Sequence, residues 1–311
     1  MILVVSNKAD IHCNPVIKHF NKNEDKFFRL NTESLLEDYD VYFETNDKSC
    51  YVVIENKKNY KKVNSEEIIS IWERRPLQVN FNKLKNKKVN KVIREELNEA
   101  LKWLRYFLLS KRSIGSPIWD RPNESKLNQL KIATNLKKDN FPWIKVPRTV
   151  LSNNKDKILE TFQDKDVVVK PIGSSGITVD EKLEMPFFSR RISLQDLKKI
   201  DIRDFAMCPI LIQTYIEKIY ELRVTVIGNK AFTCKIDSQK QPSGKGKEDW
   251  REGYDHDLKQ TWINTPKKIK DFCLEYLNVT KSSFGCFDFI FDNNRQYVFL
   301  ECNPNGQWMW M

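Results

Sequence analysis

The sequence predicts a mixed α/β protein of the α+β kind with more than one domain. Three observations point to this class. The first 31 residues read as strand, helix and strand, which is typical of an α/β layer with a parallel sheet. Residues 91–109 carry apolar side chains at the 3.6-residue period of a helix. Towards the C-terminal end, apolar and polar residues alternate in paired segments joined by turns, as in antiparallel hairpins.

The composition is that of a folded protein with a sizeable core. The chain has 311 residues, of which 40% are hydrophobic, and this is enough for two or three domains. No apolar run approaches the roughly 20 residues of a membrane helix, and the opening MILVV is too short for a signal peptide. The 7 cysteines are scattered, which favours reduced thiols over disulfides or a zinc site. We expect a cytoplasmic protein with no membrane partner.

The chain is basic, with a formal net charge of +11 from 53 lysines and arginines against 42 acidic residues. Most of this charge is dispersed lysine, and no basic and aromatic stripe suggests a nucleic-acid groove. We therefore expect no nucleic-acid partner. A polyanionic cofactor or an acidic peptide explains the sign of the charge as well.

The N-terminal part forms the first predicted domain, which ends where Gly115-Ser116-Pro117 interrupts the pattern. Its predicted helices are Asn14–Lys22 and Lys91–Leu109. Its predicted strands are Met1–Ser6, Phe27–Asn31 and Ile68–Trp72, together with a hairpin of Val41–Glu44 and Tyr51–Glu55.

Two lysines of the next segment lie where a phosphate can bind. Ser125 is predicted to cap a helix from Lys126 to Leu136, and a cation at such a helix start is unfavourable unless an anion is also there. Lys170 ends a strand over Asp166–Pro171 and precedes a loop of small residues. The backbone N–H groups of such a loop can cradle a phosphate, although a plain surface turn has the same composition. The loop residues are Gly173, Ser174, Ser175 and Gly176.

A third group of strands carries two cations. Leu222–Ile227 and Ala231–Ile236 alternate cleanly around a Gly-Asn turn, which predicts a hairpin. Arg223 and Lys235 then lie on adjacent strands, where like charges repel unless an anion lies between them. The charged stretch from Gln239 to His256 is predicted to be a mobile loop, of the kind that often serves as a lid or a binding loop.

The hairpin over residues 284–303 carries acidic side chains on one predicted face. Asp288 lies among alternating phenylalanines, and Glu301 and Asn303 lie two apart on the next strand. With a loop of two or four residues, Asp288 faces Phe299 and Glu301 is its diagonal neighbour, whereas a three-residue loop inverts this register. Three oxygen donors without histidine are a ligand set that suits Mg²⁺. On spacing alone, a sheet edge whose acids face water is the alternative.

The order of these motifs resembles the ATP-grasp superfamily over nearly the whole chain. The resemblance rests on SKL at 125–127, VVVKPIGSSG at 167–176, LIQTYIEKIYELRV at 211–224, CFDFIF at 286–291 and ECNPNGQW at 301–308. Within the superfamily, NTE at 31–33, WERRP at 72–76 and the final ECNPNGQWMWM are similar to the ATP-grasp peptide maturases. These are the graspetide synthetases of the microviridin and grasp-with-spasm types.

This resemblance implies an ATP-grasp fold in three parts. They are an N-terminal pre-ATP-grasp α/β domain over 1–115, a central domain over 116–206 and a C-terminal antiparallel-sheet domain over 207–311. It also implies ATP and two Mg²⁺ ions as cofactors. The implied ATP-binding residues are Lys126, Lys170, Gly173, Ser174, Ser175, Gly176, the adenine hinge Gln213, Thr214, Tyr215 and Ile216, and Glu221 on the ribose. The implied metal ligands are Asp288, Glu301 and Asn303, and the implied catalytic cations are Arg223 and Lys235, facing the γ-phosphoryl group.

The resemblance further implies the reaction and the partner. The maturases activate Asp or Glu side chains of a ribosomal precursor peptide, which has a leader and an acidic core, as acyl phosphates. Thr, Ser or Lys side chains of the same peptide then close ω-ester or ω-amide rings. The alternative is a ligase that adds free amino acids to a protein or a small metabolite, and a homodimer is left open. Candidate substrate contacts are Arg74, Arg75, Lys245, Lys247 and Arg251.

Overall fold

The computed structural model describes residues 1–24, 26–81, 87–108, 111–114, 121–163, 165–173, 176–179, 183–253, 256 and 258–309. They divide into two compact units. Unit 1 comprises Met1–Arg121, Ser282–Phe284 and Pro304–Trp310, and unit 2 comprises Pro122–Lys281 and Gly285–Asn303. The predicted boundary at Gly115-Ser116-Pro117 lies outside the described residues, and the division into three domains stays a prediction.

Unit 1 is built on a parallel sheet, as its strand, helix and strand opening predicts. Its strands follow the order β2-β1-β6-β7, and a separate antiparallel sheet has the order β3-β4-β5. The β1–β2 pairing is parallel because helix α1 returns the chain to the same end of the sheet. The elements are β1 (Ile2–Ser6), α1 (Cys13–Lys22), β2 (Phe27–Asn31), α2 (Leu35–Asp38), β3 (Tyr39–Thr45), β4 (Cys50–Asn56), β5 (Lys62–Asn64), β6 (Ser70–Glu73), α3 (Lys87–Leu108) and β7 (Arg112–Ile114).

The core of unit 1 joins both of its sheets to helix α3. Leu3 and Ile71 of the parallel sheet pack in one cluster with Ile54 of the antiparallel sheet. The helix contributes Leu97 and Leu101, one turn apart on the same face, as the predicted period requires. No helix among the described residues is long and apolar enough to cross a membrane.

Unit 2 contains a central sheet and a larger C-terminal sheet. The central sheet has the strand order β12-β9-β13-β8, the C-terminal sheet the order β16-β15-β14-β17-β18, and β10 and β11 form a separate pair. The elements are α4 (Lys126–Asp139), β8 (Thr149–Ser152), α5 (Lys155–Phe162), β9 (Val167–Lys170), β10 (Gly176–Val179), β11 (Leu183–Pro186), β12 (Arg190–Ile192), α6 (Leu194–Lys199), α7 (Ile202–Met207), β13 (Ile210–Thr214), β14 (Lys218–Ile227), β15 (Lys230–Ile236), β16 (Gln260–Ile263), α8 (Lys267–Val279), β17 (Phe284–Asp292) and β18 (Tyr297–Asn303).

One face of the C-terminal sheet is the main core of unit 2. Helices α4 and α8 cover this face, where Phe272 packs against Phe289 and Phe299 at ring-centroid distances of 5.9 and 5.7 Å. Full burial of such a side chain stabilises the fold by about 1.5–3 kcal/mol. Phe287 and Phe289 of strand β17 both lie in this core. Since neighbouring residues of a strand point to opposite faces, Asp288 between them points away from the helices.

Candidate active site

Asp288 and Glu301 are directly opposite each other on strands β17 and β18. Phe289 still pairs with Phe299, so Leu300 is an extra residue that bulges out of the ladder. The register predicted for a loop of two or four residues, with Asp288 facing Phe299, is therefore wrong, and near the turn the ladder has the register predicted for a three-residue loop. In a regular ladder Leu300 would face Asp288, and Glu301 would point into the core. The bulge turns Glu301, and with it Asn303, to the face of Asp288.

Each of the two acids is bonded to a cation from another element. Arg223 of β14 donates from Nη1 to Asp288 Oδ2 at 2.6 Å. Lys126, the first residue of α4, donates from Nζ to Glu301 Oε2. As predicted, the helix of Lys126 begins after Ser125, whose side chain accepts from Asn128 N. The structure thus brings Lys126, Arg223 and both acids together.

The two acids have shifted pKa values of opposite direction. Burial raises the pKa of Asp288 to about 6 against the charge of Arg223, and the charge of Glu301 raises it further. Burial acts the same way on Glu301, but Lys126 and Lys170 outweigh it and hold the pKa of Glu301 at about 2. At neutral pH both groups are thus ionised, and each is paired with a cation of the protein.

Lys170 ends strand β9 and belongs to the same charged cluster. Burial lowers the pKa of its ammonium group to about 8, although the charge of Glu301 counteracts this and that of Lys126 adds to it. An ammonium group with such a pKa gains from a bound anion. Gly173 follows within three residues and has open space where a side chain would begin. Ser174 and Ser175 lie outside the described residues, and Gly176 opens strand β10.

The predicted adenine hinge lies at the end of β13, and part of its backbone is already bonded. The N–H of Thr214 donates to Arg148 O at 3.0 Å, and that of Tyr215 donates to Asp166 O at 2.9 Å. The side chain of Gln213 donates to Thr149 Oγ1 at 2.9 Å. These three donors are thus already engaged within the protein.

Glu221, the candidate ribose ligand, is buried and tied to the start of the following loop. Its Oε1 accepts from Ser238 Oγ at 2.8 Å and lies 2.9 Å from Lys218 Nζ. Lys218 also donates to Glu248 O at 3.0 Å. The sequence gives no sign that Lys218 pairs with Glu221, because a spacing of three places two residues on opposite faces of a regular strand.

Lys235 does not lie with Arg223, which corrects the prediction that both face one anion. The hairpin is present, but Arg223 pairs with Cys234 and Lys235 pairs with Leu222. Paired residues share a face, so the two cations point to opposite sides of the sheet. Lys235 Nζ lies 3.0 Å from Asp237 Oδ1 and 4.9 Å from the ring centroid of Tyr220.

The loop predicted over Gln239–His256 is packed around buried polar side chains. Gln241 is buried and donates to Gly253 O at 3.0 Å. Asp249 is also buried, accepts from Ser189 N at 3.0 Å and from Arg251 Nε at 2.7 Å. Asp249 thereby fixes the position of Arg251, which is one of the candidate substrate contacts. The two other candidates on this loop, Lys245 and Lys247, are exposed.

Arg74, another candidate substrate contact, is buried inside unit 1. Only 1% of its surface is exposed, its Nη1 donates to Gly306 O at 3.1 Å, and it stacks on Trp308 at 4.8 Å. This burial does not support direct contact with a substrate. Arg75 is exposed and donates to the side-chain oxygen of Gln307 at 2.5 and 3.1 Å.

The acid pair suits a hard divalent cation. Two carboxylates and the amide of Asn303 on one face supply oxygen donors only, which is the preference of Mg²⁺. The described residues hold no group of three or more His, Cys, Asp and Glu arranged for a metal. A complete shell therefore needs further oxygens, as from phosphates and water.

A central sheet and a C-terminal sheet bring lysines, a buried arginine and an acid pair together, and solved structures that share this fold include ATP-grasp ligases. The chain is similar to a RiPP-associated ATP-grasp ligase of Chryseobacterium gregarium, solved in complex with ADP and a leader and core peptide. Identity is 27%, the TM-score is 0.84, and the match covers 99% of this chain and 90% of that one. No protein-family model and no curated protein matches the sequence.

Two further solved structures share the fold. The macrocyclase MdnC from Microcystis aeruginosa MRC, bound with precursor peptide MdnA, is 24% identical with a TM-score of 0.80, over 100% of this chain and 93% of that one. The ATP-grasp ligase PsnB, complexed with a phosphomimetic variant of a minimal precursor, Mg and ADP, is 15% identical with a TM-score of 0.68, over 99% and 90%. The fold class predicted from the sequence is confirmed, and so is the likeness to ATP-grasp peptide maturases.

Proposed function

We propose that this protein is an ADP-producing ligase that activates Asp or Glu side chains of a ribosomal precursor peptide and closes ω-ester or ω-amide rings with Thr, Ser or Lys side chains. The observation that carries the proposal is the pairing of Asp288 with Glu301, each bonded to a cation, on the face of the C-terminal sheet that points away from helices α4 and α8. The leader and core peptide in the complex of the Chryseobacterium gregarium ligase supports the choice of substrate.

In this proposal ATP lies between the central and C-terminal sheets. Lys126 and Lys170 hold its phosphates, with the loop over residues 173–176 as a flap. Ile216 and the carbonyl groups of the hinge contact adenine, and Glu221 takes the ribose hydroxyls. The lowered pKa of Lys170 supports its proposed role as a phosphate ligand, since a phosphate supplies the negative charge that stabilises a half-buried ammonium group.

Two Mg²⁺ ions would be held by Asp288, Glu301 and Asn303, where they would neutralise phosphate charge. The Mg in the PsnB complex supports the metal. On this proposal the bonds from Arg223 and Lys126 to the two acids mark the positions that cations favour.

The proposed reaction has two steps. A carboxylate oxygen of the peptide attacks the γ-phosphorus of ATP, the bond to the β-phosphate oxygen breaks, and an acyl phosphate and ADP result. Arg223 stabilises charge on the transferred group through its guanidinium donors. A hydroxyl or amine of the same peptide then attacks the acyl carbon, loses its proton and displaces phosphate. This second step is faster than the reaction of two separate molecules, because the two reacting side chains belong to one peptide.

The charge of the protein fits the proposed partner. The chain carries a formal net charge of +11, and the exposed Lys245 and Lys247 lie on a loop tied to Glu221 through Ser238 and Lys218. An acidic core peptide would be drawn to such a surface at low salt. Arg75 and Arg251 are further candidate contacts to this peptide.

The test uses peptides encoded by short open reading frames beside the gene. Each is incubated with the enzyme, ATP and Mg²⁺ and analysed by mass spectrometry and an ADP assay. The proposal requires the loss of one water mass and the formation of one ADP per linkage. A peptide that gains mass, and only when free amino acids are added, would instead identify an amino-acid ligase.

A further inference from the structure

The face of the C-terminal sheet that carries Arg223 continues beyond the charged centre. Residues directly opposite in an antiparallel ladder share a face. Arg223 pairs with Cys234, and Cys234 pairs with Trp262, so Trp262 of the edge strand β16 lies on the face of Arg223. Phe232 lies on this face too, because it pairs with Thr225.

Three apolar side chains on this face are open to solvent. Ile227, Phe232 and Trp262 expose 50%, 45% and 56% of their surface. Phe232 is the diagonal neighbour of both others, a separation that aromatic side chains can bridge. On the other face of β14, Leu222 and Val224 are fully packed in the core. The three exposed residues thus form one surface, called here the apolar shelf.

The apolar shelf lies beyond Arg223 as seen from the hinge. Strand β14 runs from the hinge through Glu221 and Arg223 to Ile227. Strand spacing puts Trp262, two strands away, about 10 Å from Arg223, and Phe232 about 8 Å away. An extended peptide advances about 3.3 Å per residue. A peptide whose carboxylate lies at Arg223 therefore reaches the apolar shelf with a residue about three positions away.

We propose that the apolar shelf binds a hydrophobic side chain of the substrate peptide, about three residues from the Asp or Glu that is activated. The inference rests on the proposed function and adds a determinant of substrate choice to it. Lys230 is exposed and directly opposite Ile227 on the same face, so a cation borders the apolar shelf, as an acidic peptide requires. An exposed tryptophan on an edge strand otherwise favours aggregation, and a bound peptide would cover it.

The test measures binding of short acidic peptides labelled with fluorescein, in the presence of ADP and Mg²⁺, by fluorescence anisotropy. Each peptide carries one glutamate and either tryptophan or alanine three residues from it. We expect the tryptophan peptide to bind roughly tenfold more tightly, because it buries apolar surface. The double variant Phe232→Ser, Trp262→Ser should lose this preference. The control Ile202→Ser, at an equally exposed apolar residue of helix α7, should keep it.

The outcomes separate the two proposals. Equal affinity for both peptides, or a preference that survives in the double variant, overturns the apolar shelf and leaves the proposed function standing. Failure to bind any of these peptides, with ADP affinity intact, overturns the apolar shelf, and the proposed function is then decided by the mass-spectrometric test on whole precursor peptides described above. Unchanged ADP affinity of the double variant shows that its fold is preserved.

Discussion

Asp288 and Glu301 are direct cross-strand partners, although two carboxylates in that relation repel each other. A bulge at Leu300 produces this pairing, and Arg223 and Lys126 offset part of the repulsion. Such an arrangement costs stability compared with an apolar pair. Its presence on the face of the sheet that points away from helices α4 and α8 favours a role in binding cations and phosphates.

We expect Glu301→Gln to lower ADP formation about 100-fold or more, because a neutral amide cannot replace an anionic metal ligand. The matched control is Asp292→Asn on the same hairpin, whose acid is buried and lies 2.7 Å from Lys145 Nζ. This control should lose stability and keep its turnover per folded molecule. ADP release at saturating Mg²⁺ is the measurement, and near-normal activity of Glu301→Gln would remove Glu301 from the proposed ligands.

Arg223→Lys and Lys235→Met should behave very differently. Arg223 is buried and bonded to Asp288, so a shorter, single-point cation should lower turnover about 100-fold. Lys235 points to the opposite face, and its loss should change turnover only a few-fold. Steady-state rates of both variants decide this. An equal loss of turnover in the two variants would mean that the side of the sheet to which a cation points does not decide whether it takes part in the reaction.

Nucleotide affinity should fall at alkaline pH because of Lys170. Its pKa is about 8 in the free protein, and a bound phosphate raises it, so binding takes up a proton above pH 8. Affinity for ADP should therefore be flat below that pH and fall up to tenfold per pH unit above it. Calorimetric titration at several pH values measures this. Lys170→Arg should keep the affinity without the alkaline fall, and Lys170→Ala should bind ADP more weakly by about 1.5–3 kcal/mol. A wild-type profile in Lys170→Arg would refute the assignment.

Unit 1 should lose stability in acid because of His12. Burial, with the charge of Arg74, lowers the pKa of its imidazole to about 4, whereas the unfolded chain has a pKa of about 6.5. Between pH 4 and 6.5 the unfolded state thus binds more protons than the folded state, and the free energy of unfolding falls as the pH drops through this range. The full effect is about 3 kcal/mol. Urea unfolding at pH 7 and 4.5 should show a smaller difference for His12→Gln, while the exposed His19→Gln should resemble wild type. An unchanged difference in His12→Gln would exclude this residue as the cause.

Much of the fold was predictable because periodicity and turn chemistry act locally. The parallel pairing of β1 and β2, the helix of Lys126 and the hairpin of β14 and β15 all follow from short patterns. The side of the sheet to which Lys235 points was also predictable. A two-residue turn, Gly228-Asn229, pairs Ile227 with Lys230. Counting back along the two strands then places Arg223 opposite Cys234 and Lys235 opposite Leu222.

Other parts of the site depend on tertiary contacts that leave no local signal. The bulge at Leu300 follows from the need to bury both Phe299 and Cys302, and alternation alone cannot place it. Gln241 and Asp249 look like ordinary loop residues in the sequence. Their burial arises only when the loop folds onto Ser189 and Gly253.

The bond between Lys126 and Glu301 has a consequence for the order of events. On the proposed function, Glu301 receives a metal ion and Lys126 receives a phosphate, so in the free protein each of these two groups occupies the place of the other's ligand. A metal ion alone must displace an ammonium group, and a nucleotide alone must draw that ammonium group away from a carboxylate. Arriving together, they exchange one ion pair for two: the lysine passes to phosphate, and the released carboxylate receives the metal. Metal and nucleotide should therefore each raise the affinity of the protein for the other.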